Sequence, residues 1–403
     1  MTVAAAIDGR VGEIRTQSEA TCVASVEIFH DIAAAEAVWR ALEAPASVLT
    51  PYQRFDFLAA WQNHIGTAAG VTPLIVVARD AQRRPLLLLP LGLRRENGIG
   101  VARFLGGKHT TFNMPICRRD FLSGATRDDV DAVLSALRAQ RGAVDALALT
   151  QQPRQWQGFA NPMALLPNQP SVNACPLLSI APGAEPSSLI SSSFRRRLKS
   201  KERKLQALPG YRYLQAESDA DISRLLDAFF TIKPQRMALQ KLPNVFADPG
   251  VEAFIRRACH TRLPDGGHAI EMHGLICDEE VIAIFAGVAD GDRFSMMFNT
   301  YTLSASAHFS PGLILMRHIV DQYAAQNYTS LDLGIGSDDY KRLFCKDDDE
   351  VFDSFAGLTP RGRLAASGLS ALNALKRKVK QTPALMKVAQ TARGVLHHRP
   401  PRP

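Results

Sequence analysis

The sequence is short of several things, and each absence excludes a class of protein. Its six cysteines, at positions 22, 117, 175, 259, 277 and 345, include no Cys-x-x-Cys pair. Such scatter supports neither a zinc site nor a disulfide framework, and it fits reduced thiols in a cytosol, the expected location. No apolar run reaches the length needed to cross a bilayer; the most apolar, Pro85 to Leu93, is strand-sized and interrupted by Pro90. The start, MTVAAAIDGRVGEIR, has no basic opening and no long apolar core, so it does not read as a signal peptide. Ser/His/Asp in a catalytic order, metal-ligand spacing and a Walker loop are also missing, and no metal is expected. His397 and His398 fall in a Pro-rich end and read as solvated side chains.

Acidic residues are missing from one region. Residues 361–403 hold ten Lys/Arg and no Asp/Glu, so the remaining 360 residues carry 37 basic against 39 acidic side chains. The net charge of +8 therefore belongs to the tail. A near-neutral body gives no electrostatic argument for nucleic-acid binding. Within the tail, Leu364, Ala371, Leu372, Leu375 and Val379 form an apolar stripe beside the run KRKVK (376–380). That pattern suits either docking on the body or lying on an anionic membrane surface.

A chain of 403 residues is comfortable for two domains. Residues 1–24 read as disordered. The pattern then predicts a strand at 25–31, a helix over IAAAEAVWRALEA and a second helix at 54–65. Strands follow near 72–79, 84–93 and 101–105, then a helix at 126–140 with an N-terminal Thr and an acidic first turn. AVDALALT reads as a strand, and a Pro/Asn-rich connection leads to the strand PLLSI. The second half repeats the scheme. A basic helix at 187–207 precedes the strand YRYLQAE, helices at 219–240 and 248–262, and an antiparallel meander at 268–276, 280–289 and 292–300. A helix, the strand TSLDLGIG, a short helix DDYKRLF and a last strand near VFDSFAGL complete it. The expected domains are 25–182 and 183–360, a tandem duplication at the level of fold, with a helical tail at 361–403.

The chemistry concentrates in residues 308–344, HFSPGLILMRHIVDQYAAQNYTSLDLGIGSDDYKRLF. Ser310 suits an N-cap and Pro311 the first helical position, so free backbone donors are expected at Gly312, Leu313 and Ile314. Gly312 would let a phosphate approach them, aided by the helix dipole. In LDLGIG, alternation sends Leu331, Leu333 and Ile335 to one face and Asp332, Gly334 and Gly336 to the other, leaving space above the second face. Asp332 reads either as a catalytic carboxylate or as an acceptor for a neighbouring loop. Tyr340 reads either as a general acid or as a packed aromatic. Basic residues Arg195, Arg196, Arg197, Lys199, Lys201, Arg203 and Lys204 crowd one helix, and Lys233 and Arg236 lie late in another. Each group serves an anionic ligand or a solvated face.

The segments SPG (310–312), LDLGIGSDDYKRLF (331–344), SFRRRLKSKERKL (193–205), VWRALEA and TPYQRFDFLAAW resemble the CelD/BcsL-like group of GNAT family acetyltransferases. That group is linked to bacterial cellulose and exopolysaccharide biosynthesis, and the resemblance covers about residues 25–360. It implies an α+β fold of two tandem GNAT-like domains, FemABX-like, with mixed, mainly antiparallel sheets. It implies acetyl-CoA, or another acyl-CoA, as donor to an amine or hydroxyl of a saccharide or envelope-polysaccharide precursor. The common phosphate signature Arg/Gln-x-x-Gly-x-Gly/Ala is replaced here by SASAHFSPG. The site residues it implies are Asp332 and Tyr340 for proton handling and the backbone of Phe298, Asn299 and Thr300 at the thioester. Ser310, Gly312, Leu313, Ile314 and Gly334 would hold the donor, and Arg196, Lys233, Arg236 and Lys341 the substrate. Two alternatives stay open: a FemABX-like aminoacyl-tRNA-dependent transferase, and a non-catalytic subunit of a polysaccharide synthase.

Overall fold

The computed structural model describes residues 21–140, 144–336 and 338–382. Of the disorder expected for residues 1–24, residues 1–20 lie outside that range, as does the last part of the tail. Residues 21–24 are instead tied to the body: Asp129 accepts from Cys22 N–H at 2.7 Å and Val23 N–H at 3.2 Å, and Ala24 N–H donates to the Arg79 carbonyl at 2.8 Å. Two sheets dominate the described chain. The first contains β1 (Ser25–Phe29), β2 (Thr72–Arg79), β3 (Pro85–Glu96), β4 (Ile99–Phe104) and β5 (Ala146–Pro153). The second contains β6 (Cys175–Ser179), β7 (Arg212–Gln215), β8 (Glu271–Ile276), β9 (Val281–Ala289), β10 (Arg293–Tyr301), β11 (Ser330–Asp332) and β12 (Asp347–Asp349). A last strand, β13 (Val351–Gly357), belongs to the first sheet.

The sequence dictates much of this directly. β2 and β3 are apolar runs joined by a turn in which Asp80 accepts from the backbone N–H groups of Gln82 at 2.9 Å and Arg84 at 2.8 Å. Helix α1 (Glu36–Leu42) and helix α2 (Phe55–Trp61) bury Trp39, Phe57 and Leu58 against the first sheet. Helix α3 (Arg127–Ala139) starts with a capping box between Thr126 and Asp129. In the second half, α4 (Ser192–Leu205), α5 (Asp219–Leu239) and α6 (Val251–His260) precede the meander β8–β9–β10, and α7 (Pro311–Ala325) connects β10 to β11.

Each half builds the same topology. An antiparallel run ends in a strand that pairs in parallel with the one after a crossover helix: β4 with β5, and β10 with β11. The next position in each sheet is filled from across the chain. β13 pairs antiparallel with β5 in the first sheet, and β6 pairs antiparallel with β11 in the second. The division expected at residue 182 therefore cuts across both sheets, because 175–179 belongs to the second and 351–357 to the first. The cores merge as well, with Phe57 of α2 edge-on to Phe254 of α6 at 5.3 Å between ring centroids.

The tail begins as α8 (Pro360–Gln381), capped by Thr359, whose hydroxyl accepts from Gly362 N–H at 3.1 Å. A Cβ at position 362 would lie 1.7 Å from the Asp145 carbonyl oxygen, so the helix can approach the body only with glycine there. Further along, α8 lies on the body by its polar face. Gln169 donates to the Ser370 carbonyl at 3.0 Å, Asn373 to Asp353 at 2.5 Å, and Arg377 to the Pro170 carbonyl at 2.6 Å. The apolar stripe faces outward: Leu364, Leu372 and Leu375 are 79%, 54% and 58% exposed.

Candidate active site

The parallel pairing of β10 with β11 lasts three residues, Arg293 to Ser295 against Ser330 to Asp332. β10 then runs on to Tyr301 while β11 stops. The strand expected to continue through Gly336 ends early, because Gly334 and Gly336 take left-handed φ values of 71° and 116° and turn the chain away. The alternating faces expected over 331–336 are therefore lost after Asp332. A wedge opens between β10 and the loop after β11.

The β10 edge facing that wedge can be read residue by residue. The register of β9 against β10 slips between Ala286 and Gly287, which pair with Phe298 and Met296 and leave Met297 as a bulge. Just past β10, Thr302 N–H donates to the Ile282 carbonyl at 2.8 Å. Because backbone groups alternate along an antiparallel strand, Thr300 and Phe298 also turn toward β9, whereas Tyr301 and Asn299 turn outward. Lys233 agrees with this reading, since its ammonium donates to the Asn299 carbonyl at 2.9 Å. Of the expected trio Phe298, Asn299 and Thr300, Asn299 alone offers its backbone to the wedge.

At the far end of β10 stands the start of α7. Ser310 adopts φ 58°, ψ 51° and makes no side-chain cap; its hydroxyl instead accepts from Lys201 of α4 at 2.7 Å. Leu313 and Ile314 both donate to the Ser310 carbonyl, at 3.0 and 3.2 Å. They are therefore not the free donors expected from sequence, and Gly312 N–H is left for a ligand. A Cβ on Gly312 would lie 3.5 Å from the Tyr301 ring, and the Arg236 guanidinium stacks over that ring at 3.4 Å from its centroid. Burial, then the neighbouring Arg236 charge, lowers the pKa of Lys233. None of Lys201, Lys233 and Arg236 has a carboxylate partner among the described residues. The preceding loop is organised on Glu280, which accepts from Thr302, Ser304 and Ser306 hydroxyls at 2.9, 3.0 and 2.9 Å. An internal carboxylate thus shapes the stretch that departs from the usual glycine-rich signature.

The wedge opens into a cavity of about 420 Å³. Asn299, Leu333, Gly334 and Tyr340 line one side of it, and Thr110, Thr111 and Gln151 of the first half face them. Tyr340 is half-buried; burial first, then Asp338, pushes its phenol up to about 12, against a hydrogen bond with the Asn299 side chain. It therefore carries its proton at neutral pH.

Three expected site residues have other employment. Asp332 is fully buried, and its oxygens accept from Arg293 Nε at 3.0 Å, Ser295 Oγ, Gly334 N–H at 2.9 Å and Cys175 Sγ at 3.6 Å. With both oxygens engaged out of reach of solvent, it anchors Arg293 and the turn at Gly334. Lys341 is 3% exposed and donates to the Gly334 and Ile335 carbonyls at 2.9 and 3.1 Å, so it fastens the loop that forms one wall of the wedge. Arg196 is exposed on α4, away from the cavity lining.

Sequence reasoning missed Tyr301, Arg293 and the first-half wall. It left Lys201 among the other cations of its helix, where no spacing marks it out. Arg293 joins Asp332 to Asp349, the latter at 2.6 Å, and lies under Phe112 and Trp156 at 4.5 and 4.7 Å from their ring centroids.

Comparison with known proteins bears on the fold. Residues 192–342 match the model of an acetyltransferase (GNAT) domain. No sequence among curated proteins matches the chain. Among solved structures, it is similar to the C-terminal domain of a putative lysylphosphatidylglycerol synthetase from Agrobacterium fabrum (TM-score 0.52, 11% identity, covering 86% of this chain and 97% of that one). It is also similar to FemX (TM-score 0.53, 8% identity, 79% and 99%). A third is a conserved protein of unknown function from Bacteroides thetaiotaomicron (TM-score 0.51, 10% identity, 83% and 100%). At these identities the likeness is one of fold, and it runs across both halves. The second half of the chain carries a GNAT-type acetyltransferase domain, set within a fold that resembles these structures over most of the chain.

Proposed function

We propose that the chain transfers an acyl group from an acyl-CoA to an amine or hydroxyl of a saccharide or envelope-polysaccharide precursor. The observation that carries the donor assignment is the open edge of β10, which leads from Asn299 to the free N–H of Gly312 between Lys201, Lys233 and Arg236. Gly312 N–H and the helix dipole would take the pyrophosphate, with the three cations offsetting its charge. Asn299 N–H would polarise the thioester carbonyl. The acceptor lone pair attacks that carbon, the C–S bond breaks, and Tyr340 gives its proton to the departing thiolate. The acceptor's proton restores Tyr340 through solvent. The first-half wall of Thr110, Thr111 and Gln151 would hold the acceptor near the carbonyl. The saccharide assignment is supported by the sequence resemblance alone.

A FemABX-like transfer from aminoacyl-tRNA is the second reading. It is favoured by Arg196, Lys199, Arg203 and Lys204, exposed together on α4 and suited to RNA phosphates. We assign the outward apolar stripe of α8, beside its cations, to peripheral contact with an anionic membrane. A thermal-shift panel of acyl-CoAs, free CoA and tRNA tests the donor readings. Stabilisation by CoA species supports the first, and stabilisation by tRNA that fades with salt supports the second. No response to any of them would favour a non-catalytic subunit.

A further inference from the structure

A second cavity, of about 220 Å³, adjoins the wedge and has a different character. Phe246, Val251, Phe254, Ile255, Met297 and Phe298 line it. Phe246, Met297 and Phe298 also line the wedge cavity, as do Lys108, Thr110 and Thr111, so the two adjoin beside the bulge of β10. Polar groups at its edge carry little charge into it. Lys108 is paired with Asp248, and His109 is pushed down to about 4 by burial and by Lys108, so its ring is neutral. The His109 ring is further occupied by Trp61, whose indole N–H donates to Nδ1 at 3.1 Å.

Its position along the donor path gives it a use. From Tyr301, beside Gly312, to Met297 the strand covers about 13 Å at roughly 3.3 Å per residue. A donor anchored by phosphate at Gly312 and laid along that edge would present its acyl group at the bulge, at the mouth of the apolar cavity. An apolar cavity of about 150 Å³ accepts benzene, so this one matches a chain of about six to eight carbons. An acetyl group would leave most of it unfilled, without contacts on its walls.

Resting on the acyl-CoA reading above, we infer that this pocket receives the donor's acyl chain and selects a medium-length chain over acetyl. Calorimetric titration of the full chain with free CoA and the saturated acyl-CoAs from acetyl to dodecanoyl tests it. Affinity should rise about tenfold per two carbons up to six to eight carbons and then level off. Ile255→Phe should move the optimum two to four carbons shorter and leave free-CoA affinity unchanged. Val251→Leu, a smaller filling, should move it the same way and keeps the test alive if the first variant fails to fold. A flat series from acetyl to octanoyl would overturn the inference, as would a length profile that neither variant moves. A flat donor series combined with a KM that depends on alkylamine acceptor length would give the pocket to the acceptor, and would equally overturn it. Failure of every CoA species to bind, free CoA included, would remove the donor reading itself and the pocket assignment with it.

Discussion

Gly312→Asp should separate donor binding from stability, because the structure gives the two effects opposite signs. The new Cβ would sit 3.5 Å from the Tyr301 ring, an ordinary contact, so the side chain fits. Position 312 lies in the first turn of the 15-residue helix α7, whose first turn contains no acid. A carboxylate there gains about 0.3–1 kcal/mol from the helix dipole. Replacing a helical glycine by Asp adds only about 0.3 kcal/mol more, because Asp ranks just above Gly. The melting temperature should therefore hold or rise. Against a phosphate about 4 Å away, at an effective dielectric near 20, the same carboxylate is repelled by about 4 kcal/mol. That is close to a thousandfold loss of CoA affinity. Gly312→Asn, similar in size and uncharged, should lose far less. High salt should narrow the gap between the two variants. Calorimetry with free CoA and parallel melting curves make the comparison. Equal losses for Asp and Asn would show that bulk, not charge, closes the site. Undiminished CoA binding by the Asp variant would refute the phosphate assignment at this helix.

Other consequences follow from the same geometry. Tyr340→Phe should lower turnover by about a hundredfold or more while leaving the donor Kd unchanged; a parallel loss in Kd would make Tyr340 a wall and no acid. With its phenol near 12, wild-type turnover should show no loss from this group between pH 6 and 9. Asp332→Asn leaves the buried Arg293 with one fewer counter-charge, so it should destabilise the protein by roughly 3–5 kcal/mol. Urea titration measures this, and a stable but inactive variant would restore a catalytic role. Leu372→Glu combined with Leu375→Glu should abolish binding to phosphatidylglycerol vesicles and leave the melting temperature unchanged, since both leucines are exposed. A drop in melting temperature would mean that the stripe is covered by the body.

The sequence carried the order of elements well, for a physical reason. Apolar runs such as Thr72–Arg79 and Val281–Ala289 coincide with strands because burial on both faces demands them. The capping residue Thr126 likewise marks a real helix start. Long-range partnership was not legible. Nothing local in Val351–Gly357 says that it joins the first sheet, or that Cys175–Ser179 joins the second. Within the site, Gly312 stood out by type, and Lys233 and Arg236 by charge. Leu313 and Ile314 were misread because the N-cap carbonyl of Ser310 already accepts the helix's first hydrogen bonds from their N–H groups. The two readings of Asp332 stayed open because sequence shows a carboxylate without the arginine, 39 residues earlier in the chain, that pairs with it.

That arginine also connects the two halves. A wedge between neighbouring strands persists only if the point where they part is fixed, and three residues of parallel pairing give little to fix it. Asp332 is the last paired residue, and Arg293 lies opposite the first of the three. Their ion pair closes the apex of the wedge, Asp349 extends it to β12, and Phe112 and Trp156 from the first half cover the guanidinium. Trp156 in turn donates through its indole N–H to Asp290 at 2.9 Å, at the turn just before β10. The first half thus presses on the apex with its aromatics and lines the mouth with Thr110, Thr111 and Gln151. Under the function proposed above, its part is mechanical: it holds the gap to one width and supplies the opposite wall. Under that reading, the carboxylate buried at the apex serves the reaction as an anchor.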